Sequence, residues 1–138
     1  MPYLVDANVL SEPTKPLPDA NVLGLLRAHE GDLVVDPIVL GEMRLGVLVL
    51  PGGQKRTRLE QWLAQVEAVV VCLPGDAAVS RWWAELVAGL KRKGQALPLL
   101  DSMIAATAME HDLTVATRNI RDFRKAGVRV LDPFMAAI

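Results

Sequence analysis

The sequence predicts an α/β protein with three layers, in which a central, mostly parallel β-sheet lies between two layers of helices. Short apolar segments alternate along the chain with segments whose apolar residues recur at helical spacing, and this alternation is typical of β-α units in a parallel sheet. The 138 residues are about the length of one domain, and we expect a single domain over residues 1–138. With 51% hydrophobic and 22% charged residues, the chain has enough apolar surface to bury a core.

Five apolar segments are candidates for the strands of this sheet. Tyr3–Val5 and Leu33–Val35 are short and each ends at an aspartate, while residues 69–73 form a continuous run rich in β-branched side chains. A continuous run of this kind is typical of a strand covered on both faces, and it predicts that Cys72 is a buried core residue. The two remaining candidates, nearer the C-terminus, are residues 113–116 and 128–131.

Caps, prolines and glycines predict where the helices begin and end. Asp19 and Asp76 have the short polar side chains that cap helix N-termini, and Gly94 is a typical C-terminal stop. The predicted helices are one that begins at residue 18 or 19 and five further ones over about residues 38–50, 54–67, 76–93, 99–111 and 120–125.

The composition argues against several classes of protein. One cysteine and two histidines cannot make an internal disulfide or a Cys/His zinc site. No apolar run approaches the roughly 18–20 residues of a membrane span, and the N-terminal residues do not resemble a signal peptide, so we expect a cytoplasmic protein without a membrane partner. A net charge of −1 argues against binding nucleic acid through bulk positive charge. Five cationic residues nevertheless lie close together near the C-terminus, namely Arg118, Arg121, Arg124, Lys125 and Arg129.

Four polar residues are placed where they can meet at one edge of the sheet. Asp6 follows the first strand and Asn119 follows the fourth, so both lie at carboxyl ends, where folds of this kind bind ligands. Glu42 has apolar neighbours at helical spacing, and a buried glutamate is costly unless it is paired or bound to a metal. Asp101 lies at the start of an Ala-rich helix. The alternative for Asp6, Asp101 and Asn119 is a role as a cap or turn residue, and for Glu42 it is an exposed ion pair.

These three carboxylates and one amide predict a metal site. Oxygen ligands without histidine or cysteine suit Mg²⁺ or Mn²⁺ better than zinc. Carboxylates that are packed together without a cation repel one another, and the pKa of each rises. A divalent metal removes this repulsion and activates water for attack on a phosphodiester.

Four segments resemble the PIN-domain family, and within it the VapC-type, FitB-like toxin ribonucleases of bacterial type II toxin–antitoxin pairs. The resemblance includes the family's opening Asp-x-Asn motif, its glutamate helix, its most recognisable helix and its closing motif. The segments occur in the family's order and span nearly the whole chain. They are residues 4–12, 41–46, 100–108 and 117–123.

The resemblance implies a PIN-like α/β/α fold and Mg²⁺- or Mn²⁺-dependent endonucleolytic cleavage of RNA. Asp6, Glu42 and Asp101 would then be the metal-binding acids of the catalytic site. The family's fourth acidic position falls on Asn119, which is neutral and adds no charge for a second metal. Asp122, one turn further on, is the alternative for that position.

The same resemblance implies roles for the neighbouring residues and a set of partners. Asn8 and Thr117 would orient the acids, and Arg44, Arg118 and Arg121 are candidates for holding RNA phosphates. The chain would form a homodimer and bind a cognate antitoxin, which would insert a peptide with a basic side chain into the active-site groove. Contact with DNA would occur only through that antitoxin.

Two other functions compete with the toxin ribonuclease. A phosphatase of the haloacid dehalogenase type needs Asp-x-Asp after the first strand, but residue 8 is asparagine, which ranks this function low. A catalytically degenerate PIN-like module that binds RNA or a partner protein without cutting stays open, because Asn119 replaces the fourth acid.

Overall fold

The computed structural model describes residues 2–135, in which five parallel strands form one sheet. The strands are β1 (Tyr3–Val5), β2 (Leu33–Val35), β3 (Val71–Cys72), β4 (Thr114–Ala116) and β5 (Val130–Leu131). Their order across the sheet is β3-β2-β1-β4-β5, and each neighbouring pair is parallel. The chain builds β2 and β3 on one side of β1 and then crosses to the other side for β4 and β5. The carboxyl ends of β1 and β4 therefore flank the point where the strand order reverses, which is where open parallel sheets bind ligands.

Seven α-helices connect the strands within residues 2–135, with short 3₁₀ turns at Glu12–Thr14 and Glu30–Asp32. None of these helices is long and apolar enough to cross a membrane. The helices are α1 (Ala7–Leu10), α2 (Ala20–Ala28), α3 (Pro37–Leu48), α4 (Gln54–Val69), α5 (Ala77–Arg92), α6 (Leu99–His111) and α7 (Ile120–Ala126).

Helices cover both faces of the sheet. Successive residues of a strand point to opposite faces, and in β1 the fully buried Leu4 and Val5 belong to different apolar clusters. Leu4 lies in the larger cluster, which is built from the sheet with α3, α4, α6 and α7. Val5 packs with Val9 of α1 and Val22 of α2. The predicted arrangement of a mostly parallel sheet between two helical layers is confirmed.

Several predicted helix ends are confirmed by their caps. The Asp19 carboxylate accepts hydrogen bonds from the N–H groups at the start of α2, and Asp76 accepts one from the N–H of Val79 at the start of α5. Gly127 ends α7 with a φ of 83°, a conformation that glycine adopts without strain.

The prediction of a buried strand over residues 69–73 is wrong. Helix α4 continues to Val69, and the N–H of Val70 still donates to the carbonyl of Val66 at 2.9 Å. Strand β3 has only two residues and pairs with β2 alone, so it is an edge strand with an exposed surface. Val69 is 83% exposed and Cys72 is also exposed, so the expectation of a buried cysteine is wrong for the same reason.

A buried glutamate fixes the segment between α1 and α2. The side chain of Glu12 accepts a hydrogen bond from the N–H of Asp19 at 2.8 Å, and its other oxygen lies 2.8 Å from the Lys15 ammonium. Both contacts join residues within the segment between α1 and α2, and they stabilise its conformation. Glu12 therefore has a structural role, although it lies only six residues after Asp6.

Candidate active site

Asp6 lies at the carboxyl end of β1 and is 95% buried. One of its oxygens accepts a hydrogen bond from the N–H of Ala7 at 2.8 Å and so caps α1. The other accepts from the Thr117 hydroxyl at 2.7 Å and from the Asn8 amide at 3.4 Å. Asp6 is thus both a cap and a member of a polar site, and the predicted positions of Asn8 and Thr117 beside it are confirmed.

Asn119 connects Asp6 to two further carboxylates. Its backbone N–H donates to the Thr117 hydroxyl at 2.9 Å. Its side-chain amide donates to Oδ2 of Asp101 at 2.7 Å and to Oδ2 of Asp122 at 2.9 Å. A continuous series of hydrogen bonds therefore joins Asp6, at one end of the chain, to Asp101 and Asp122.

The alternative capping roles of Asp101 and Asn119 are wrong. Helix α6 begins at Leu99 after Pro98, so Asp101 is its third residue and its side chain accepts from Asn119 instead. Asn119 is at the N-cap position of α7, but its side chain makes no capping hydrogen bond. Both polar side chains are directed to each other and not to a helix end.

Glu42 projects from α3 toward the same acids without a hydrogen bond. Its Oε1 atom is buried and has no hydrogen-bond partner among the residues that the structure describes. Burial and the negative charges of Asp6, Asp101 and Asp36, in that order, raise the pKa of Glu42. The alternative of an exposed ion pair is therefore wrong, because Glu42 is partly buried and makes no ion pair among the residues that the structure describes.

Asp36 is a site residue that the sequence analysis missed. It follows β2, is only 1% exposed, and accepts hydrogen bonds from the N–H of Val39 at 3.0 Å and from the Thr107 hydroxyl at 2.9 Å. Beside it is a cavity of about 260 Å³, lined also by Trp83 and Met103. The Asp-Pro sequence before α3 signals a helix cap. Nothing local shows that Asp36 lies close enough to Glu42 to raise its pKa, or close enough to Asp6 for the charge of Asp6 to raise the pKa of Asp36.

Negative charge accumulates at this edge of the sheet. Burial is the first cause of a raised pKa at Asp6, Asp36 and Asp101, and hydrogen bonds at each of them oppose it in part. The charge of Asp6 further raises the pKa of both Asp36 and Asp101, and the charge of Asp122 adds to the effect on Asp101. A cation placed among such carboxylates would relieve this mutual repulsion.

The donor set fits Mg²⁺ or Mn²⁺ in type and charge. Carboxylate oxygens are offered by Asp6, Glu42 and Asp101. The Oε1 atom of Glu42, which accepts no hydrogen bond from the described residues, is free to bind a metal ion. Within residues 2–135 no three acidic, histidine or cysteine side chains are close enough together to enclose an ion by themselves. Mg²⁺ is usually held by one or two carboxylates together with several waters, so it does not require such an enclosure.

The three candidate arginines differ in their surroundings. Arg44 is paired with Glu67 of α4 at 2.6 Å, which commits its guanidinium to a contact between helices. The guanidinium of Arg118 lies 4.1 Å from the centre of the Phe134 ring. Arg121 is exposed on α7, the helix that carries Asp122. All three arginines stay candidates for phosphate contacts, because the partly exposed ion pair of Arg44 with Glu67 is weak.

A second cavity, of about 300 Å³, opens beside Glu42 between α1, α3 and α4. Most of its walls are apolar side chains, so the carboxylate of Glu42 is a charged group at the edge of an otherwise apolar surface. The larger lining side chains are Met43, Val47, Leu59 and Trp62.

We expect Glu42→Gln to stabilise the metal-free protein at neutral pH by less than about 1 kcal/mol, because the side chain is partly exposed and solvent screens its repulsion by the other acids. Glu42 is harder to ionise in the folded state, so folding favours its neutral form, and the wild type loses stability as pH rises above 4.5, the unfolded-state pKa. Below pH 4.5 the difference should vanish, because the glutamate is then neutral in both states. Thermal denaturation in EDTA across this pH range measures it.

The matched control is Glu85→Gln on the exposed face of α5. It removes the same charge far from the acids and should leave Tm nearly unchanged. A drop in Tm for Glu42→Gln at neutral pH would contradict the proximity of Glu42 to the other acids.

The parallel sheet and the acids at its switch point are those of a PIN domain, and the family model of that name matches residues 3–128. The chain belongs to the PIN-domain family. It is 38% identical over 136 residues to toxin FitB of Neisseria gonorrhoeae, with 95% of this chain and 97% of FitB covered. It is 37% identical over 139 residues to the VapC ribonuclease Y4jK of Sinorhizobium fredii, with 97% and 99% covered.

A solved structure of FitAB bound to an IR36 DNA fragment has the same fold. Its matching chain superposes with a TM-score of 0.92 at 34% identity, and 99% of this chain and 98% of that chain are covered. The resemblance to FitB-like and VapC-type members of the family and the PIN-like α/β/α fold are therefore confirmed.

Proposed function

We propose that this protein is a metal-dependent endoribonuclease that acts as the toxin of a type II toxin–antitoxin pair. The observation that carries the proposal is the group of acids at the switch point of the sheet, in which Asp6, Asp101 and Asn119 are joined by hydrogen bonds and Glu42 has an unpartnered buried oxygen. The naming of one relative as a ribonuclease and of another as a toxin supports the same function.

The positions of the side chains support the following catalytic roles. Asp6, Glu42 and Asp101 would hold Mg²⁺ or Mn²⁺, and the chemistry that such an ion supplies when bound is polarisation of the scissile phosphate and activation of a water. Thr117 fixes the orientation of Asp6, and Asn119 fixes that of Asp101. Because these carboxylates are already held in place, they would need little rearrangement when the metal ion binds.

Cationic side chains on α7 and on the loop before it would contact the RNA beside this acidic edge of the sheet. Arg121 is exposed on α7, and the backbone N–H of Arg118 donates to the Asn8 side chain at 3.2 Å, which fixes the main chain there. Phosphate contacts of this kind position a strand without reading its sequence. They offset the repulsion between the RNA backbone and the acids.

The antitoxin would occupy the cavity beside Glu42. Its apolar walls suit apolar side chains of a peptide, and the unpartnered carboxylate of Glu42 suits a basic one. The solved FitAB structure has a DNA fragment bound to it. By analogy, DNA contact here would be made by the antitoxin, since this chain has a net charge of −1. The homodimer and the cytoplasmic location stay predictions from the resemblance and the sequence.

The test is incubation of total cellular RNA with the purified chain, free of antitoxin, in Mg²⁺, in Mn²⁺ and in EDTA. We expect discrete fragments that form only with metal, and sequencing of their ends would identify the target. Cleavage that persists in EDTA would contradict the metal dependence. RNA that is bound but stays intact would favour the degenerate, non-cutting module.

A further inference from the structure

We propose that Phe134 is a positioning residue for RNA binding, because its ring holds the guanidinium of Arg118 where it can bind a backbone phosphate beside the acids. The inference rests on the proposed function and deepens it, since it assumes that the substrate is RNA. It gives the segment that follows β5 a part in binding that substrate.

Arg118 lies beside the acids because its main chain is fixed there. The preceding residue, Thr117, donates its hydroxyl to Asp6 at 2.7 Å, and the N–H of Arg118 donates to the Asn8 side chain at 3.2 Å. Arg118 itself is exposed. An exposed cation therefore begins one residue after the hydroxyl that orients Asp6.

The end of β5 brings Phe134 to the same place. Strands β4 and β5 are neighbours, and the N–H of Thr117 donates to the carbonyl of Leu131 at 3.0 Å. The carboxylate of Asp132 accepts from the N–H of Phe134 at 2.9 Å, which forms a turn after the strand. Phe134 packs against the smaller apolar cluster, which contains Val5. The core of the protein thus supports the ring.

The guanidinium of Arg118 lies over the Phe134 ring, 4.1 Å from its centre. A cation in this position is attracted by the negative face of the ring. Among the residues that the structure describes, the guanidinium makes no hydrogen bond and no ion pair, whereas that of Arg129 is paired with Asp112 at 3.0 Å. The ring therefore holds Arg118 without using its N–H groups, which match the oxygens of a phosphate in geometry and charge.

The nearest acid outside the metal site does not capture Arg118. The hydrogen bonds from Lys15 and Asp19 and, to a smaller extent, the charge of Arg118 lower the pKa of Glu12, so this carboxylate is within electrostatic range of the guanidinium. Both of its oxygens are already engaged, one by the Lys15 ammonium and one by the N–H of Asp19. Arg118 is left as a positioned cation for an anionic ligand, and the phosphates of a single-stranded RNA are such ligands.

The test is binding of a fluorescein-labelled, single-stranded RNA of mixed sequence to the full chain, followed by fluorescence anisotropy in EDTA. We expect Arg118→Gln to weaken binding by about 5- to 10-fold, and Phe134→Leu, which keeps an apolar side chain without the ring, by about 3-fold. The double variant should bind no more weakly than Arg118→Gln alone, because the ring acts through the cation. Phe134→Trp keeps an aromatic face and should stay within about 2-fold of the wild type.

A second readout separates positioning from a general loss of structure. In Mg²⁺, Phe134→Leu should raise the KM for RNA and leave kcat nearly unchanged, because a phosphate contact binds the substrate without taking part in the reaction. Thermal denaturation of each variant shows that it is folded at the temperature of the assay.

Two matched controls lie at the opposite edge of the sheet. Leu33→Ala removes an apolar side chain from the same cluster at the amino end of β2, and Arg27→Gln removes an exposed cation from the last turn of α2. Both should bind RNA within about 2-fold of the wild type.

Three results would overturn the inference. Equal RNA affinity of the wild type and Phe134→Leu would remove the positioning role, and so would losses that add in the double variant. Unchanged binding by Arg118→Gln would remove the phosphate contact. A wild type that neither binds nor cuts RNA would instead overturn the proposed function itself.

Discussion

Asp101→Asn is expected to reduce metal-dependent RNA cleavage by at least about 100-fold while the protein stays folded. The substitution removes one negative charge and keeps the shape of the side chain, including an oxygen that can accept from Asn119. Because burial and neighbouring charges raise the pKa of Asp101, the metal-free variant should melt no lower than the wild type. Loss of activity would then reflect the site and not the fold.

The measurement is the initial rate of fragment formation in Mg²⁺, with thermal denaturation of the same samples in EDTA. Asp32→Asn, which removes an exposed carboxylate just before β2, at the opposite edge of the sheet from the site, serves as the charge-matched control and should cleave at the wild-type rate. A fully active Asp101→Asn protein would remove Asp101 from the mechanism.

Phe123→Ala is expected to have the largest effect on stability, about 3–5 kcal/mol. Phe123 is fully buried and is the bulkiest fully buried side chain among the described residues. It anchors α7, the helix that carries Asp122, in the larger apolar cluster. Domains of this size are stable by only about 5–15 kcal/mol, so the loss is a large part of the total.

Urea denaturation gives the change in the free energy of unfolding. Leu45→Ala, at a side chain that is 60% exposed, is the control and should change stability by less than about 0.5 kcal/mol. A loss below about 1 kcal/mol for Phe123→Ala would mean that α7 is not held by this contact.

The acids at the ends of β1 and β4 could be predicted because parallel strands bring their carboxyl ends to one edge. Asp6 and Asn119 each follow a strand in the sequence, and that order alone places them together. Glu42 was recognisable because its neighbours in α3 are apolar, which marks a carboxylate that faces the interior.

Contacts between distant elements could not be predicted in the same way. The bond from Asn119 to Asp101 depends on how α6 and α7 pack, and the proximity of Asp36 to Asp6 depends on the placement of β2 beside β1. The error at residues 69–73 has another cause. A short apolar run does not distinguish a buried strand from the end of a helix followed by an edge strand.

The hydrogen bond between Thr117 and Asp6 spans 111 positions of the chain. A nascent polypeptide in which β4 and α7 have not yet been synthesised contains Asp6 and Glu42. It lacks the residues that orient and complete the site. Under the proposed function, the site therefore forms only after β4 and α7 have been synthesised and have packed beside β1. A chain truncated before Thr117 lacks the hydroxyl that orients Asp6.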